Sequence, residues 1–285
     1  MTIDKECVFE LCSLVHRLEN RATGEHFTIH VEQDVQLRSK DFVGLLGPSG
    51  CGKTTLLTLL GLLRSPSDLS GLGKFRIHVP SDSGDERTTI DLKEAWTRKR
   101  YRLIEKIRRQ HIGFALQSGE LINSLTVDEN VRTPLRLNGW SNFNADERVK
   151  ELLDSFSLFR GASAVGDAAS TTERQTLAKA RINRLSGGEY QRVALARSIA
   201  HRPSVVFVDE PTSALNRELA FDALNTLKRN QLSQKMAGVT FMITHDEQLA
   251  EEFCNVVIRM APCQGKPAGE VVEVIRNDEG EDKNV

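Results

Sequence analysis

The segment Gly47–Thr54 (GPSGCGKT) has the residue types and spacing of a phosphate-binding loop. Its glycines let backbone N–H groups approach phosphate oxygens, the Lys53 ammonium group can reach the β- and γ-phosphates, and the Thr54 hydroxyl group is a ligand for Mg²⁺. The flanking apolar runs predict a buried parallel strand at Phe42–Leu46 and a helix, buried on most sides, at Leu56–Leu63. A glycine-rich turn inside a core is the alternative, and the strand–loop–helix order argues against it. The residues assigned to nucleotide contacts here are Gly47, Pro48, Ser49, Gly50, Cys51, Gly52, Lys53, Thr54 and Thr55.

Two further predicted strands end in polar residues. Asp209 and Glu210 follow the apolar run 204–208, and His245 follows the run 239–244. Because ligands of doubly wound sheets bind at the carboxyl ends of the strands, we expect these side chains to meet the phosphates. Asp209 would assist Mg²⁺, Glu210 would accept a proton from a water molecule attacking the γ-phosphate, and His245 would contact that phosphate. Taken singly, they would be a solvated strand end and a loop histidine.

A third candidate site is the helix start in the segment 185–198 (LSGGEYQRVALARS). Ser186 and Glu189 have the spacing of a capping box, yet Gly187 and Gly188 occupy the first turn, where glycine weakens a helix. A helix N-terminus without side chains in the way is suited to an anion. A capped core helix is the alternative interpretation.

The bulk composition is that of a globular protein. The chain has 285 residues, enough for one large domain or two small ones, and its net charge of −1 gives no reason to expect nucleic acid as a partner. Five scattered cysteines without a CxxC pair favour reduced thiols in a cytosolic setting. The N-terminal segment lacks signal-peptide character, and the most apolar stretch, 54–63, is too short to span a bilayer. Any membrane role is therefore expected to depend on a partner.

Five stretches together resemble the ATP-binding subunit of ABC transporters and occur in that family's order. They are GPSGCGKTT (47–55), FALQSGELINSLTVDENV (114–131), LSGGEYQRVALARS (185–198), VVFVDEPTSALN (205–216) and ITHD (243–246). The resemblance covers about residues 37–276. It implies an α/β fold, a P-loop NTPase of the ABC ATPase type, with a mixed sheet core and a helical subdomain. It also implies ATP as substrate, Mg²⁺ as cofactor, and hydrolysis by in-line attack of water.

The resemblance assigns further roles. Gln117 would contact Mg²⁺ and the attacking water, so that Lys53, Gln117, Glu210 and His245 form the catalytic set and Thr54, Gln117 and Asp209 the metal set. Two subunits would pair head to tail as a homodimer, and Ser186, Gly187, Gly188 and Glu189 would then hold the γ-phosphate of the ATP bound to the opposite subunit. The stretch 118–131 is similar to the surface that receives a coupling helix of an integral membrane permease. The implied location is cytoplasmic, peripheral on the inner face of the cell membrane.

The sequence departs from the family pattern at three points. Asn216 stands where the family usually has Asp, so that a charge is missing where the two subunits would signal to each other. His16 and Phe27 are the nearest residues for stacking on adenine, and neither fits the usual aromatic position. The segments 84–109 and 162–180 look like insertions.

The chain is predicted to divide into a first part of the nucleotide-binding core (1–116, with the insertion), a helical subdomain (117–184), a second part of the core (185–276) and a disordered tail (277–285). The best helix of the subdomain is Ala145–Phe156, after Asn144, and the segment 161–175 predicts a mobile polar loop.

Within the first insertion, 81–89 predicts a loop, and Asp91 with Glu94 predicts the start of a helix rich in basic residues. A solvated helix face is the interpretation we favour, and contact with anionic headgroups or with an acidic partner surface is the alternative.

The predicted function is that of an ATP hydrolase that energises a separate permease. The stretch 108–135 is similar to the branch that serves lipoprotein release, macrolide export and cell division, which favours an export or lipoprotein-release system. The ATPase of an importer, or a soluble ABC ATPase acting in assembly or repair, is the alternative. The repair type would need long coiled-coil arms and the translation-factor type two nucleotide-binding units, and the sequence has neither. We expect the short segment after residue 276 to leave no room for the regulatory domain of sugar importers.

Overall fold

The computed structural model describes residues 6–19, 26–81, 86–116, 121–160, 175–211, 214–233 and 237–277. The main sheet has eight strands, whose bounds are Leu14–Glu19 (β2), His26–Val31 (β3), Phe42–Leu46 (β5), Ile112–Ala115 (β8), Val205–Asp209 (β11), Val239–Ile243 (β12), Val256–Pro262 (β13) and Ala268–Arg276 (β14). They lie in the order β2-β3-β14-β13-β5-β12-β11-β8. β14 is antiparallel to β13 and β2 is antiparallel to β3, so the sheet is mixed, as predicted.

The centre of this sheet is parallel and buried. β8, β11, β12, β5 and β13 run in one direction, and every residue of β5, β11 and β12 is buried. This is why these strands are continuous apolar runs in the sequence. Because they end at the same edge, the segments that follow Leu46, Asp209 and Ile243 come together there.

A second, antiparallel sheet covers part of the main one. Its strands are Cys7–Leu11 (β1), Val35–Arg38 (β4), Phe75–Pro80 (β6) and Arg87–Asp91 (β7), in the order β4-β1-β6-β7. Phe9 packs edge-on against Phe241 of the main sheet, with 6.2 Å between the ring centroids. The sequence did not predict this sheet, and the predicted loop at 81–89 is wrong from Arg87 onward, because Arg87–Asp91 pairs with β6.

Helices flank the two sheets. Their bounds are Lys53–Leu60 (α1), Leu92–Thr97 (α2), Tyr101–His111 (α3), Val127–Leu137 (α4), Asn142–Ser155 (α5), Gly187–Ser198 (α6), Arg217–Leu232 (α7) and Glu247–Phe253 (α8). Short 3-10 turns at Leu177–Lys179 and Ile182–Arg184 lead into α6, and the two-residue strands Phe159–Arg160 (β9) and Gln175–Thr176 (β10) pair with each other. Within the described ranges, no helix is long and apolar enough to cross a membrane.

The region between β8 and α6 has its own apolar core. One buried cluster contains Val131, Val149, Leu152 and Val193, from α4, α5 and α6. The same cluster contains the residues on one face of β11 and β12. The predicted start of α5 after Asn144 is wrong by three residues. Ser141 is the cap, since its hydroxyl group accepts a hydrogen bond from the Asn144 N–H at 3.3 Å.

Two other helix predictions need correction. The insertion contains two helices rather than one, because the chain turns at 98–100, where Lys99 has a φ of 52°. Asp91 does cap α2, accepting a hydrogen bond from the Glu94 N–H at 2.8 Å. The helix predicted to be buried through Leu63 ends at Leu60, and Leu63 is 43% exposed.

Candidate functional site

The loop between β5 and α1 is shaped by its glycines. Gly52 has a φ of 98°, a left-handed conformation that favours glycine. Gly47 approaches β13 so closely that a Cβ atom would lie 2.3 Å from the Met260 carbonyl oxygen. Only a residue without a side chain fits here, so β13 fixes the path of the loop. The sequence indicated the glycines but not Met260, because that contact joins distant parts of the chain.

The start of α1 is open to an anion. Gly52 is its N-cap, no side chain caps the helix, and no acidic residue lies in its first turn. Its first N–H groups therefore have no side-chain acceptor, and the exposed Thr54 lies beside them. The Lys53 ammonium group folds back over the loop and donates hydrogen bonds to the carbonyl oxygens of Gly47 and Pro48, at 2.7 and 2.9 Å.

Asp209 and Glu210 lie where β11 ends. Burial raises the pKa of the Asp209 carboxyl group, the neighbouring Glu210 charge adds to the rise, and Lys53 opposes it. The Asp209 carboxylate has no hydrogen-bond partner among the described residues, so it is free to receive a cation. Together with the Thr54 hydroxyl group it offers the hard oxygen donors that Mg²⁺ prefers beside substrate phosphates.

Glu210 is held in a strained position and bound to His245. Its φ is 48°, which is uncommon for a residue with a side chain, and its N–H donates to the Ile243 carbonyl oxygen at 2.9 Å. The Nδ1 atom of His245 lies 2.9 and 3.0 Å from the two Glu210 carboxylate oxygens. This hydrogen bond, with the Glu210 charge, raises the pKa of His245.

Lys53, Glu210 and His245 share one cleft of about 650 Å³, whereas Thr54 and Asp209 are not among the residues that line it. Lys53, Glu210 and His245 line it together with Gly47, Pro48 and Ser49 of the loop, and Arg259, Met260 and Val272 form part of its wall. The predicted convergence of the loop with the ends of β11 and β12 therefore occurs. The residues of β13 and β14 in the wall were not predicted. They belong to none of the motifs quoted from the sequence.

The helix start at Ser186 does not line this cleft in the described part of the chain. It forms the predicted capping box: the Ser186 hydroxyl group accepts from the Glu189 N–H at 3.2 Å, and the Glu189 carboxylate accepts from the Ser186 N–H at 2.8 Å. Gly188 has a second reason to be glycine, since a Cβ atom there would lie 2.9 Å from Leu215 Cδ2.

Gln191 links this helix to the cleft, and the sequence analysis missed it. Its Nε2 atom donates to the Glu210 carbonyl oxygen at 2.8 Å, and its Oε1 atom accepts from the Ala214 N–H at 3.2 Å. It thereby holds both ends of the turn that leaves β11. The signal in the sequence is a polar residue just before the apolar run 193–196 of α6.

The residues considered for adenine differ in position. His16 is buried, and its Nδ1 atom accepts a hydrogen bond from the Ser67 N–H at 3.1 Å, so it is not presented to a ligand. Phe27 lies against the loop, with its Cε1 atom 3.1 Å from where a Gly52 Cβ would be.

Gln117 lies outside the described residues, as does most of the predicted loop at 161–175. Asn216 caps α7, accepting from the Leu219 N–H at 2.9 Å.

Comparison with known proteins adds an independent result. A family model described as "ABC transporter" matches residues 32–213. The bacitracin export ATP-binding protein BceA of Halalkalibacterium halodurans is 32% identical over 225 residues, which are 79% of this chain and 74% of that protein. The methionine import ATP-binding protein MetN of Streptococcus thermophilus is 33% identical over 257 residues, which are 90% of this chain but only 63% of MetN.

A solved structure matches the whole fold. It is the dimeric structure of a post-hydrolysis state of the ATP-binding cassette MJ0796, bound to ADP and Pi; an ATP-binding protein of that name comes from Methanocaldococcus jannaschii. The TM-score is 0.64 at 26% sequence identity, and the match covers 94% of this chain and 98% of the other.

Proposed function

The chain belongs to the ABC transporter family and is an ATPase subunit of that family, and from this premise we propose that it energises a separate integral membrane permease of an export or lipoprotein-release type. The family and the P-loop fold that were predicted from the sequence are confirmed by these comparisons. The observation that carries the proposal is the convergence of Lys53, Glu210 and His245 on one cleft beside an open helix start.

In the proposed mechanism, the β- and γ-phosphates of ATP bind to the loop N–H groups at the start of α1. The Lys53 ammonium group exchanges the carbonyl oxygens of Gly47 and Pro48 for phosphate oxygens, because a charged acceptor forms the stronger hydrogen bond. Glu210 leaves His245 and polarises the attacking water, while His245 donates to the γ-phosphate.

Thr54 and Asp209 are the residues proposed to hold Mg²⁺, with Gln117 as a third ligand. The ion, when bound, neutralises charge on the phosphates. The fit rests on the unpaired Asp209 carboxylate, whose burial disfavours its charge and which a cation would stabilise.

We assign the residues Ser186–Glu189 to the nucleotide of a second copy of the chain. Within the described residues this helix start lies outside the cleft, which is what a site completed by a partner requires. The glycines of its first turn leave the backbone accessible to a phosphate, and the capping box keeps the helix start formed. The dimeric form of the MJ0796 cassette supports this arrangement.

The stretch 118–131 remains the predicted contact for the permease, and we propose that a groove of about 410 Å³, lined by Phe114 before it and Thr133 after it in the sequence, extends this docking surface. Leu63, Phe114 and Leu137 supply apolar surface, and Arg108 and Arg109 supply charge. Leu137 is 57% exposed and contributes apolar surface that a partner could cover. Docking there would place the chain on the inner face of the membrane.

The division into a core (1–116 and 185–276), a helical subdomain (117–184) and a tail (277–285) remains part of the proposal.

The direction of transport rests on the sequence. The stretch 108–135 is similar to the export and lipoprotein-release branch, and the likeness to BceA supports that choice. The likeness to MetN keeps the ATPase of an importer as the second candidate.

The composite site is tested by measuring phosphate release across a dilution series of the purified chain. Specific activity should fall as dimers dissociate, with the monomer identified by gel filtration. A monomer that hydrolyses ATP at the full rate would remove the proposed role of Ser186–Glu189. Co-purification with one integral membrane protein would distinguish the transport function from a soluble assembly or repair ATPase.

A further inference from the structure

Positive charge is concentrated on one part of the chain. The segment 98–109 carries seven basic residues, Arg98, Lys99, Arg100, Arg102, Lys106, Arg108 and Arg109, and one acidic residue, Glu105. The whole chain has a net charge of −1, so the positive charge of this segment is a local feature and is not typical of the rest of the chain. We call its exposed members, Arg98, Lys99, Arg100, Arg102, Lys106 and Arg109, the α3 basic surface.

The fold presents these charges outward along one helix face. Arg102, Lys106 and Arg109 recur at intervals of four and three residues on the exposed side of α3, while Ile104 and Ile107 are buried on the other side. Arg102 and Arg109 are seven residues apart in this helix, so the stripe extends over roughly 10 Å.

Few of these charges are neutralised within the chain. Glu94 is the carboxylate paired with Arg98, at 3.1 Å, and with Arg100, at 3.8 Å. Lys99, Arg102 and Lys106 have no carboxylate partner among the described residues.

The first turn of α3 contains no acidic residue, and no side chain caps it. A helix N-terminus disfavours cations. The placement of Arg100 and Arg102 there therefore opposes the stability of the helix, and an external anion would relieve the repulsion.

The surface lies beside the groove assigned to the permease. Glu105, Arg108 and Arg109 of α3 line that groove, and the Arg109 guanidinium group donates to the Leu137 carbonyl oxygen at 3.0 Å. A permease segment seated in the groove would bring α3 close to the bilayer. Tyr101, 59% exposed at the start of α3, is an aromatic residue of the kind enriched where protein meets headgroups.

We propose that the α3 basic surface binds anionic lipid headgroups directly, next to the permease; the orientation rests on the proposed function. Cations spread along an exposed helix face suit a diffuse anionic plane, and each basic residue near such a plane adds to the attraction. A solvated helix face, favoured from the sequence alone, does not explain why Arg100 and Arg102 are placed at the helix end where the dipole opposes them.

The test uses the full chain and vesicles of phosphatidylcholine with about 30% phosphatidylglycerol, against phosphatidylcholine alone. Lys99→Gln, Arg102→Gln and Lys106→Gln are combined in one variant. Lys150→Gln, Lys179→Gln and Lys266→Gln, at exposed positions elsewhere, form the control variant with the same change in net charge.

The wild-type chain should sediment with the anionic vesicles and not with the neutral ones. Its partition coefficient should fall at least roughly tenfold in the α3 variant, and should change little in the control. Equal losses in both variants, or binding unaffected by the α3 substitutions, would overturn the proposal. Displacement of the bound protein by poly-L-glutamate at equal charge concentration would also overturn it and indicate an acidic polypeptide as partner.

Phosphate release in solution separates this inference from the proposed function. Both variants should hydrolyse ATP at the wild-type rate, because none of the six residues lines the nucleotide cleft. Loss of vesicle binding with intact hydrolysis supports the lipid contact. A wild-type chain that fails to hydrolyse ATP would count against the proposed function and leave the vesicle result valid by itself.

Discussion

The Nδ1 atom of His245 lies within 3.0 Å of both carboxylate oxygens of Glu210. The residue proposed to activate water is thus engaged by the residue proposed to contact the γ-phosphate. In the proposed mechanism this contact would break when ATP binds, because His245 would then donate to a phosphate oxygen and Glu210 would accept from a water molecule. This pair is a direct reporter of the nucleotide-free cleft.

We expect His245 to titrate at a raised pH in the nucleotide-free chain. Glu210 raises its pKa above 6.5 by stabilising the imidazolium form. The folded chain therefore retains a proton that the unfolded chain loses first. The resulting stabilisation is fully present below the unfolded pKa and is lost as the pH rises through the folded pKa. An NMR titration should show the raised midpoint, and Glu210→Gln should bring it back toward 6.5. An unchanged titration midpoint of His245 in the Glu210→Gln variant would show that the hydrogen bond does not form in solution.

Replacement of Glu210 by Gln should abolish turnover while retaining ATP. A lost general base typically lowers the rate by roughly 10²–10⁴-fold, and the neutral amide cannot take a proton from water. We therefore expect an ATP-bound dimer in gel filtration with Mg²⁺ and ATP. Glu247→Gln removes the same charge from the same cleft, where Glu247 pairs with Arg259 at 3.2 Å, and should leave turnover close to wild type. Steady phosphate release by the Glu210→Gln variant would contradict the assigned role.

Gln191→Ala should lower kcat more than the affinity for ATP. The substitution removes the hydrogen bonds to the Glu210 carbonyl oxygen and from the Ala214 N–H. A catalytic carboxylate displaced by about 1 Å can cost on the order of 100-fold in rate. Gln191→Glu retains the acceptor for Ala214 but loses the donor to Glu210, so its kcat reports which of the two bonds matters. Unchanged kcat in both variants would reduce Gln191 to a packing role.

Gly188→Ala should impair hydrolysis far more than folding. The added methyl group would meet Leu215 Cδ2 at 2.9 Å, a flexible side-chain end, so we expect about 1 kcal/mol of destabilisation. The same methyl group would stand between a partner's γ-phosphate and the helix N–H groups. Thermal unfolding and phosphate release measure the two effects. Adding Leu215→Ala should restore stability but not activity; recovery of both would assign the glycine to internal packing alone.

Asp41→Asn should destabilise the fold without changing the chemistry. Asp41 is buried, accepts two hydrogen bonds of 2.8 Å from the Arg276 guanidinium group, and also accepts from the Arg38 N–H and the Asn255 amide. Loss of one member of a buried pair costs about 3 kcal/mol. Asp34→Asn, which breaks an exposed pair with Lys74, should cost much less, because solvent screens that pair. Urea denaturation compares the two; similar losses would mean that the Asp41 network contributes little.

The residues that sequence reasoning placed correctly are those governed by local rules. The phosphate loop, the strand ahead of it and the capping box at Ser186 follow from spacing within a few residues. The strands β11 and β12 could be recognised from the sequence because buried parallel strands are continuous apolar runs. Their convergence at one edge is a property of the fold class.

The features that sequence reasoning missed depend on distant contacts. Gln191 contacts residues about twenty positions away. Met260, more than two hundred positions away from Gly47, leaves no room for a side chain at that position. The antiparallel sheet pairs β1 with β4 and β6, which lie about 24–31 and 64–68 residues further along the chain. The break at Lys99 was missed for a different reason, since continuous helical periodicity does not reveal a single residue with positive φ.

The bridge made by Gln191 has a consequence for how two ATP molecules would be used. Within each chain, the helix proposed to face the neighbour's nucleotide is hydrogen-bonded through Gln191 to the backbone carbonyl oxygen of the chain's own Glu210. In the proposed head-to-tail pair, one side chain per subunit, Gln191, would connect the two ATP positions. Hydrolysis at one position would then depend on the state of the other, and we expect a sigmoidal rather than a hyperbolic dependence of rate on ATP concentration.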